Sequence, residues 1–155
     1  MPIPKYCWDA GLFIAWLTDE QRTPDEIAGL REVADLADRG QAIICTSALS
    51  IAEVLGDGTQ PEIRKAFDDL FKRPHFQRIP ANDAIFRLAS DIRIASRSDG
   101  RVIRTADATY IATAIAYRLD ELHTFDDKLL NVSGRACAQG LTIIKPRASQ
   151  TILAL

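Results

Sequence analysis

The sequence has few cysteines and no long apolar run. Its three cysteines are an odd number at wide spacing, a pattern that fits neither a disulfide framework nor a zinc site. The longest uninterrupted apolar stretch is residues 12–17, whereas a membrane span needs about 20 such residues. Asp9 and Gly11 interrupt the N-terminal apolar stretch and no small-residue cleavage site follows, which argues against a secretory signal. We therefore expect no membrane association and a reducing, cytoplasmic compartment.

Excess positive charge and phosphate-binding loops are missing as well. Lysine and arginine number 19 against 21 aspartates and glutamates, and the net charge of −2 is unlike that of proteins that hold nucleic acid by bulk charge. This balance does not exclude nucleic acid, because carboxylates that hold a divalent cation no longer repel a phosphate. No glycine-rich loop of the Walker or dinucleotide type occurs. ATP and NAD are therefore not expected as ligands.

The apolar pattern predicts strands that alternate with helices. At 155 residues, 47% apolar and 26% charged, the chain has the size and composition of one globular domain, which we expect over residues 1–155. Strands are predicted at 5–9, 41–46, 76–79, 121–124 and 141–144, and helices at 11–17, 23–40, 47–55, 61–72, 82–96 and 107–119. Strands that alternate with helices imply right-handed crossovers and a parallel sheet covered on both faces. The predicted class is α/β.

Four acids stand at comparable places in this pattern. Asp9 ends the first strand, Glu53 lies on the helix after the second, Asp107 opens a helix and Asp126 follows a late strand. Ligands of open parallel sheets bind outside the carboxyl ends of the strands, so acids from different connections can converge there. Carboxylates in one pocket repel each other and need cations. Oxygen ligands with no nearby His or Cys favour Mg²⁺ or Mn²⁺, whose usual chemistry is at phosphate esters.

Each acid also has a structural explanation. Asp9 and Asp107 could cap the helices that follow them, and Asp126 could be a turn residue. Glu53 follows Ser50 by three residues and fits a capping box. Spacing alone leaves both interpretations open.

The residues around the acids form four segments with a recognisable order. They are YCWDA at 6–10 leading into FIAWL at 13–17, TSALSIAEVL at 46–55, DATYIATA at 107–114 and LHTFD at 122–126. Together they resemble the PIN domain family, most closely the VapC-type toxins of bacterial toxin–antitoxin pairs. The resemblance extends from near residue 5 to near residue 145, and the segment that begins at Asp107 is its most specific part.

The resemblance implies a three-layer α/β/α PIN-like fold with a central, mostly parallel twisted sheet. It implies a metal-dependent endoribonuclease that uses Mg²⁺ or Mn²⁺, with Asp9, Glu53, Asp107 and Asp126 as catalytic and metal-binding acids. Asp127 could share the task of Asp126. The implied partners are an RNA substrate, with tRNA among the candidates, an antitoxin that blocks the acidic pocket, and a second copy of the chain in a homodimer.

Basic residues flank the last two acids. Arg101 and Arg104 precede Asp107, and Lys128 follows Asp126, so each could contact an RNA phosphate. An ordinary solvated surface is the competing interpretation.

Two features depart from the family pattern. Gly11 stands two residues after the first acid, where the family often has Ser, Thr or Asn, so polar support for Asp9 is expected to be weaker. The polar segment 56–74 matches no family signature.

Two other functions stay open at this point. One is a PIN-fold nuclease that processes RNA or single-stranded DNA without an antitoxin, and the other is a catalytically silent PIN-fold binding module. A small DNA-binding protein encoded just upstream would favour the toxin. The presence of all four acids argues against the silent module.

Overall fold

A parallel sheet forms the centre of the structure. The computed structural model describes residues 2–147. Its strands are β1 (Lys5–Trp8), β2 (Ile43–Ser47), β3 (Phe76–Ile79), β4 (Glu121–His123) and β5 (Thr142–Ile144). They pair in parallel in the order β3-β2-β1-β4-β5. The chain therefore builds outward from β1 to β3, then returns to the other side of β1. This reversal makes the boundary between β1 and β4 the topological switch point, where ligands bind in open α/β sheets.

Six helices are close to those predicted, whereas a short seventh helix and a 3₁₀ turn were not predicted. The helices are α1 (Ala10–Leu17), α2 (Pro24–Asp38), α3 (Leu49–Val54), α4 (Pro61–Leu70), α5 (Asp83–Ser98), α6 (Thr105–Ala116) and α7 (Asp127–Leu130), with a 3₁₀ turn at Ala136–Ala138. Among residues 2–147, no helix has the length and apolarity needed to span a membrane.

Alternation along β1 defines the two faces of the sheet. The Cys7 thiol donates to the Tyr110 carbonyl of α6, while the neighbouring Trp8 packs on Phe13 and Trp16 of α1. Successive strand residues point to opposite faces, so α6 and α1 cover opposite sides. The α/β class and the three-layer α/β/α arrangement are confirmed.

The middle of β1 is buried from both sides, as expected for a central parallel strand. On the α1 face, Phe13 stands 5.4 Å from Trp8 and 5.5 Å from Phe67 of α4, measured between ring centroids. This aromatic contact fixes α1 on the sheet and thereby orients the residue that joins β1 to α1.

The predicted start of α2 is confirmed in detail. The Thr23 hydroxyl accepts from the Glu26 backbone N–H, and the Glu26 carboxylate accepts from the Thr23 N–H, which is the expected capping box. Asn82 likewise caps α5 by accepting from the Ile85 N–H.

One predicted helix start and one alternative cap are wrong. Helix α6 begins at Thr105 rather than at Asp107, because Ile103 is buried and the extended Arg104 leads directly into the first turn. Asp107 is therefore the third residue of the helix and not its cap. The suggested capping box at Glu53 is also absent, since α3 begins at Leu49 and Glu53 lies near its end.

Gly29 provides a test of how α2 packs on the segment after β5. A Cβ at Gly29 would lie 2.1 Å from the backbone oxygen of Pro146, a distance that the backbone must move to relieve. We expect Gly29→Ala to lower the free energy of unfolding by about 1–3 kcal/mol in urea denaturation.

Gly56→Ala is the matched control, because within residues 2–147 no heavy atom outside Gly56 and its two chain neighbours lies within 4 Å of a Cβ placed there. We expect its stability to stay within about 1 kcal/mol of the parent. Equal effects of the two substitutions would contradict the close packing.

Candidate active site

A cavity of about 190 Å³ opens at the carboxyl end of the sheet, at the switch point between β1 and β4. All four predicted acids line it, and they are Asp9, Glu53, Asp107 and Asp126. Each acid comes from a different part of the chain. The parallel sheet therefore brings together carboxylates that the sequence separates widely.

Asp9 is a buried acid at the junction between β1 and α1. It follows β1 directly and is 8% exposed. Its Oδ1 accepts from the Leu12 N–H, which caps α1, and its Oδ2 accepts from the Thr124 hydroxyl at 2.5 Å. Burial raises the pKa of Asp9 to about 7, against the effect of these two hydrogen bonds and helped by repulsion from Asp107 and Asp126. Asp9 is thus both a helix cap and a cavity residue.

Thr124, a residue of the LHTFD segment with no predicted role, supports the site. It is fully buried after β4, donates to Asp9, and accepts from the Asp126 N–H at 3.0 Å. The hydroxyl links the first and fourth acids and supplies polar support that Gly11 cannot give. Its position two residues before Asp126 was the signal in the sequence that could have indicated a contact between Thr124 and the acids.

Asp107 lies in the first turn of α6 and is 7% exposed. Burial raises its pKa, while the guanidinium of Arg104 opposes this rise. Arg104 approaches as a fork, with Nε 3.1 Å from Asp107 Oδ2 and Nη2 3.5 Å from Oδ1. The same Nη2 is 3.7 Å from Asp126 Oδ2. One arginine therefore faces two of the four acids.

Glu53 is anchored by a tyrosine that the sequence analysis missed as a site residue. The hydroxyl of Tyr110, a residue only 1% exposed, donates to Glu53 Oε1 at 2.6 Å. Burial, reinforced by this bond, raises the pKa of Tyr110 well above its usual range, so the phenol remains a donor. Tyr110 follows Asp107 by one turn of α6. That three-residue spacing was a signal that both could face the cavity.

The remaining candidates occupy different positions. Asp126 is partly buried and caps α7 by accepting from the Lys128 N–H. Asp127 is exposed in the first turn of α7 and does not line the cavity. Arg101 and Lys128 line a second cavity of about 260 Å³. Of the three predicted RNA-contacting residues, only Arg104 thus joins the acids.

Comparison with known proteins identifies the fold family. The family model described as PIN domain matches residues 6–135. The chain belongs to the PIN domain family. The family named from the sequence motifs is therefore confirmed. A search of curated proteins finds no match.

Solved structures of low sequence identity share the PIN fold. VapBC2 from Rickettsia felis, bound to a promoter DNA fragment, gives a TM-score of 0.65 at 16% identity over 90% of this chain and 96% of that chain. FitAcB from Neisseria gonorrhoeae gives a TM-score of 0.62 at 16% identity, and the match covers 91% of this chain and 97% of that chain. VapC20 from Mycobacterium tuberculosis, a sarcin–ricin loop cleaving toxin, gives a TM-score of 0.62 at 13% identity. That match covers 82% of this chain and 94% of that chain.

The donor set of this PIN domain fits a hard divalent cation. Carboxylate oxygens line the cavity, and Mg²⁺ and Mn²⁺ prefer such ligands. The raised pKa values of Asp9 and Asp107 reflect burial and repulsion that a cation would relieve. Within residues 2–147, however, no three His, Cys, Asp or Glu side chains are already grouped as a metal cage.

The raised pKa of Asp9 predicts how stability depends on pH in the metal-free protein. Its pKa is about 7 in the fold against an ordinary 3.8, so between these values the folded state holds a proton that the unfolded chain has released. The Asp9 contribution is fully present below pH 3.8 and is lost as pH rises through 7.

We expect Asp9→Asn to remove this slope, which has an upper limit of about 1.4 kcal/mol per pH unit. Urea denaturation between pH 4.5 and 8 measures it. Asp99→Asn, which changes an exposed acid at the end of α5, serves as the charge control. An unchanged slope in Asp9→Asn would contradict the assignment.

The Tyr110–Glu53 bond can be measured without any assay of function. We expect Tyr110→Phe to lower the free energy of unfolding by about 1 kcal/mol, because it deletes one hydrogen bond and keeps the ring. The same substitution in a Glu53→Gln background, completed as a double-mutant cycle, isolates the pair. Tyr117→Phe, at an exposed tyrosine just after α6, is the control. A coupling energy of zero would refute the bond.

Proposed function

We propose that this PIN domain is a cytoplasmic endoribonuclease, dependent on Mg²⁺ or Mn²⁺, and the toxin of a type II, VapBC-like toxin–antitoxin pair. The observation that carries the proposal is the convergence of four acids on one cavity at the switch point of the sheet. A structural cap needs no such convergence, because a cap acts on its own helix. Cavity and fold family together favour hydrolysis of a phosphodiester.

The acids divide into two groups by enclosure. Asp9 and Asp107 are buried and held from several sides, so we assign them as direct or water-mediated metal ligands. Glu53, fixed by Tyr110, would position water or assist the metal, and Asp126 would complete the set. A bound divalent cation supplies a water of lowered pKa and neutralises charge on the phosphate. Asp127 lies outside the cavity and has at most an accessory role.

Basic residues next to the cavity would hold the RNA backbone. Arg104 is at the acids, and Arg101 and Lys128 line the second cavity. An RNA strand that crosses both cavities would meet positive charge in each of them. Local charge of this kind supports nucleic-acid binding even in a chain with a net charge of −2.

The similar solved structures support the antitoxin part of the proposal. They include a toxin–antitoxin complex from Klebsiella pneumoniae and FitAB bound to a DNA fragment. We propose that this chain likewise pairs with an antitoxin, and that it forms a homodimer. One similar protein is a sarcin–ricin loop cleaving toxin, so structured RNA, with tRNA beside it, is the first substrate class to test.

A silent binding module is the second candidate, favoured by one observation. In residues 2–147 the acids are not grouped as a ready metal cage. Loss of catalysis would leave such a PIN domain able to bind partners alone. A direct cleavage assay distinguishes the two.

The deciding experiment is cleavage of a panel of structured RNA, tRNA, single-stranded RNA and single-stranded DNA with Mg²⁺, Mn²⁺ or EDTA. We expect metal-dependent cutting of RNA that falls by about 100-fold or more in Asp9→Asn, since that substitution removes a ligand charge at nearly constant shape. Asp99→Asn should cut like the parent protein.

Each other outcome names a different function. Cutting of single-stranded DNA in preference to RNA would favour the processing nuclease without an antitoxin. A folded parent protein that cuts nothing and binds no Mn²⁺ in calorimetry would overturn the proposal in favour of the silent module.

A further inference from the structure

Arg104 sits where the charge of the acidic cavity is most concentrated. Its guanidinium forks onto Asp107 and also lies 3.7 Å from Asp126. These contacts raise its own pKa, with Asp107 the main cause and Asp126 and Glu53 contributing. The guanidinium thus already supplies one positive charge to two of the four acids, Asp107 and Asp126.

A cation at this position competes with any other cation for the same oxygens. Both carboxylate oxygens of Asp107 face Arg104 nitrogens, so a metal at these oxygens would compete with the guanidinium for their charge and lone pairs. Arg104 is nevertheless easy to move. Its side chain is 66% exposed, and its backbone precedes α6 in an extended conformation, so rotation of the side chain needs no change in the helix.

We propose that Arg104 is an exchangeable counter-cation: it holds the acids together before metal binds, releases them to the metal, and then pairs with the RNA phosphate. This inference rests on the proposed function for its last step only. Arginine suits both partners, because its planar fork matches carboxylate and phosphate alike. Arg104 would be a positioning residue before metal binds and a phosphate contact afterwards.

This role predicts opposite changes in two measured quantities. With Arg104→Met, which keeps the apolar stem and removes the charge, we expect the Kd for Mn²⁺ to fall by about three- to tenfold in calorimetry. Cleavage at saturating Mn²⁺ should become slower and the KM for RNA should rise. A purely structural arginine would not tighten metal binding when removed.

Arg22→Met is the matched control for long-range charge. Arg22 lines the same cavity, but it pairs with Glu20 and stacks on Phe125. If any loss of positive charge at the cavity were enough to tighten metal binding, the Kd for Mn²⁺ would fall by the same factor in both variants. We expect the effect of Arg22→Met to be clearly smaller. Equal gains would overturn the contact-based inference.

The other outcomes also decide the matter. Mn²⁺ binding that is unchanged or weaker in Arg104→Met, or absent from both proteins, overturns the counter-cation. Tighter Mn²⁺ binding with unchanged RNA kinetics keeps the counter-cation and overturns the phosphate contact. Tighter Mn²⁺ binding when neither protein cuts RNA supports the counter-cation and overturns the proposed nuclease instead.

Discussion

Repulsion among enclosed carboxylates is the constraint around which this site is built. Asp9 and Asp107 are buried at the end of a sheet, where loss of water and neighbouring negative charge both oppose ionisation. Such an arrangement persists only where surrounding groups compensate. Thr124, Tyr110 and Arg104 supply that compensation as a hydroxyl, a phenol and a guanidinium. The fold positions the acids at one cavity, and the hydrogen bonds from these three side chains offset their burial and mutual repulsion.

The three compensating side chains come from only two segments, helix α6 with the residue before it and the connection after β4. Helix α6 carries Asp107 and Tyr110 one turn apart, and Arg104 stands immediately before it. The connection after β4 carries Thr124 and Asp126. These two short segments carry Asp107 and Asp126 themselves. They also bind the other two acids, since Tyr110 donates to Glu53 and Thr124 donates to Asp9. A displacement of α6 would loosen Glu53 and Asp107 together.

Much of the fold followed from local patterns, since the capping box at Thr23 and the buried strands depend on nearby residues alone. The acids could also be predicted as a group, because the four segments around them resemble those of the PIN family, whereas spacing alone left a structural explanation open. Their supports could not. The Tyr110–Glu53 bond joins residues 57 apart, and the Asp9–Thr124 bond joins residues 115 apart. The start of α6 was missed because the burial of Ile103, a tertiary effect, decides where that helix begins.

The strand order also sets when the cavity can exist. Strands β1, β2 and β3 lie within residues 5–79, whereas β4, which pairs with β1, begins only at Glu121. Contacts between residues so distant in sequence form late and slowly in folding. During synthesis, Asp9 cannot contact Thr124 or share a cavity with Asp126 until those residues have been added to the chain. A nascent chain therefore carries Asp9 without its cavity neighbours until Asp126 has been translated.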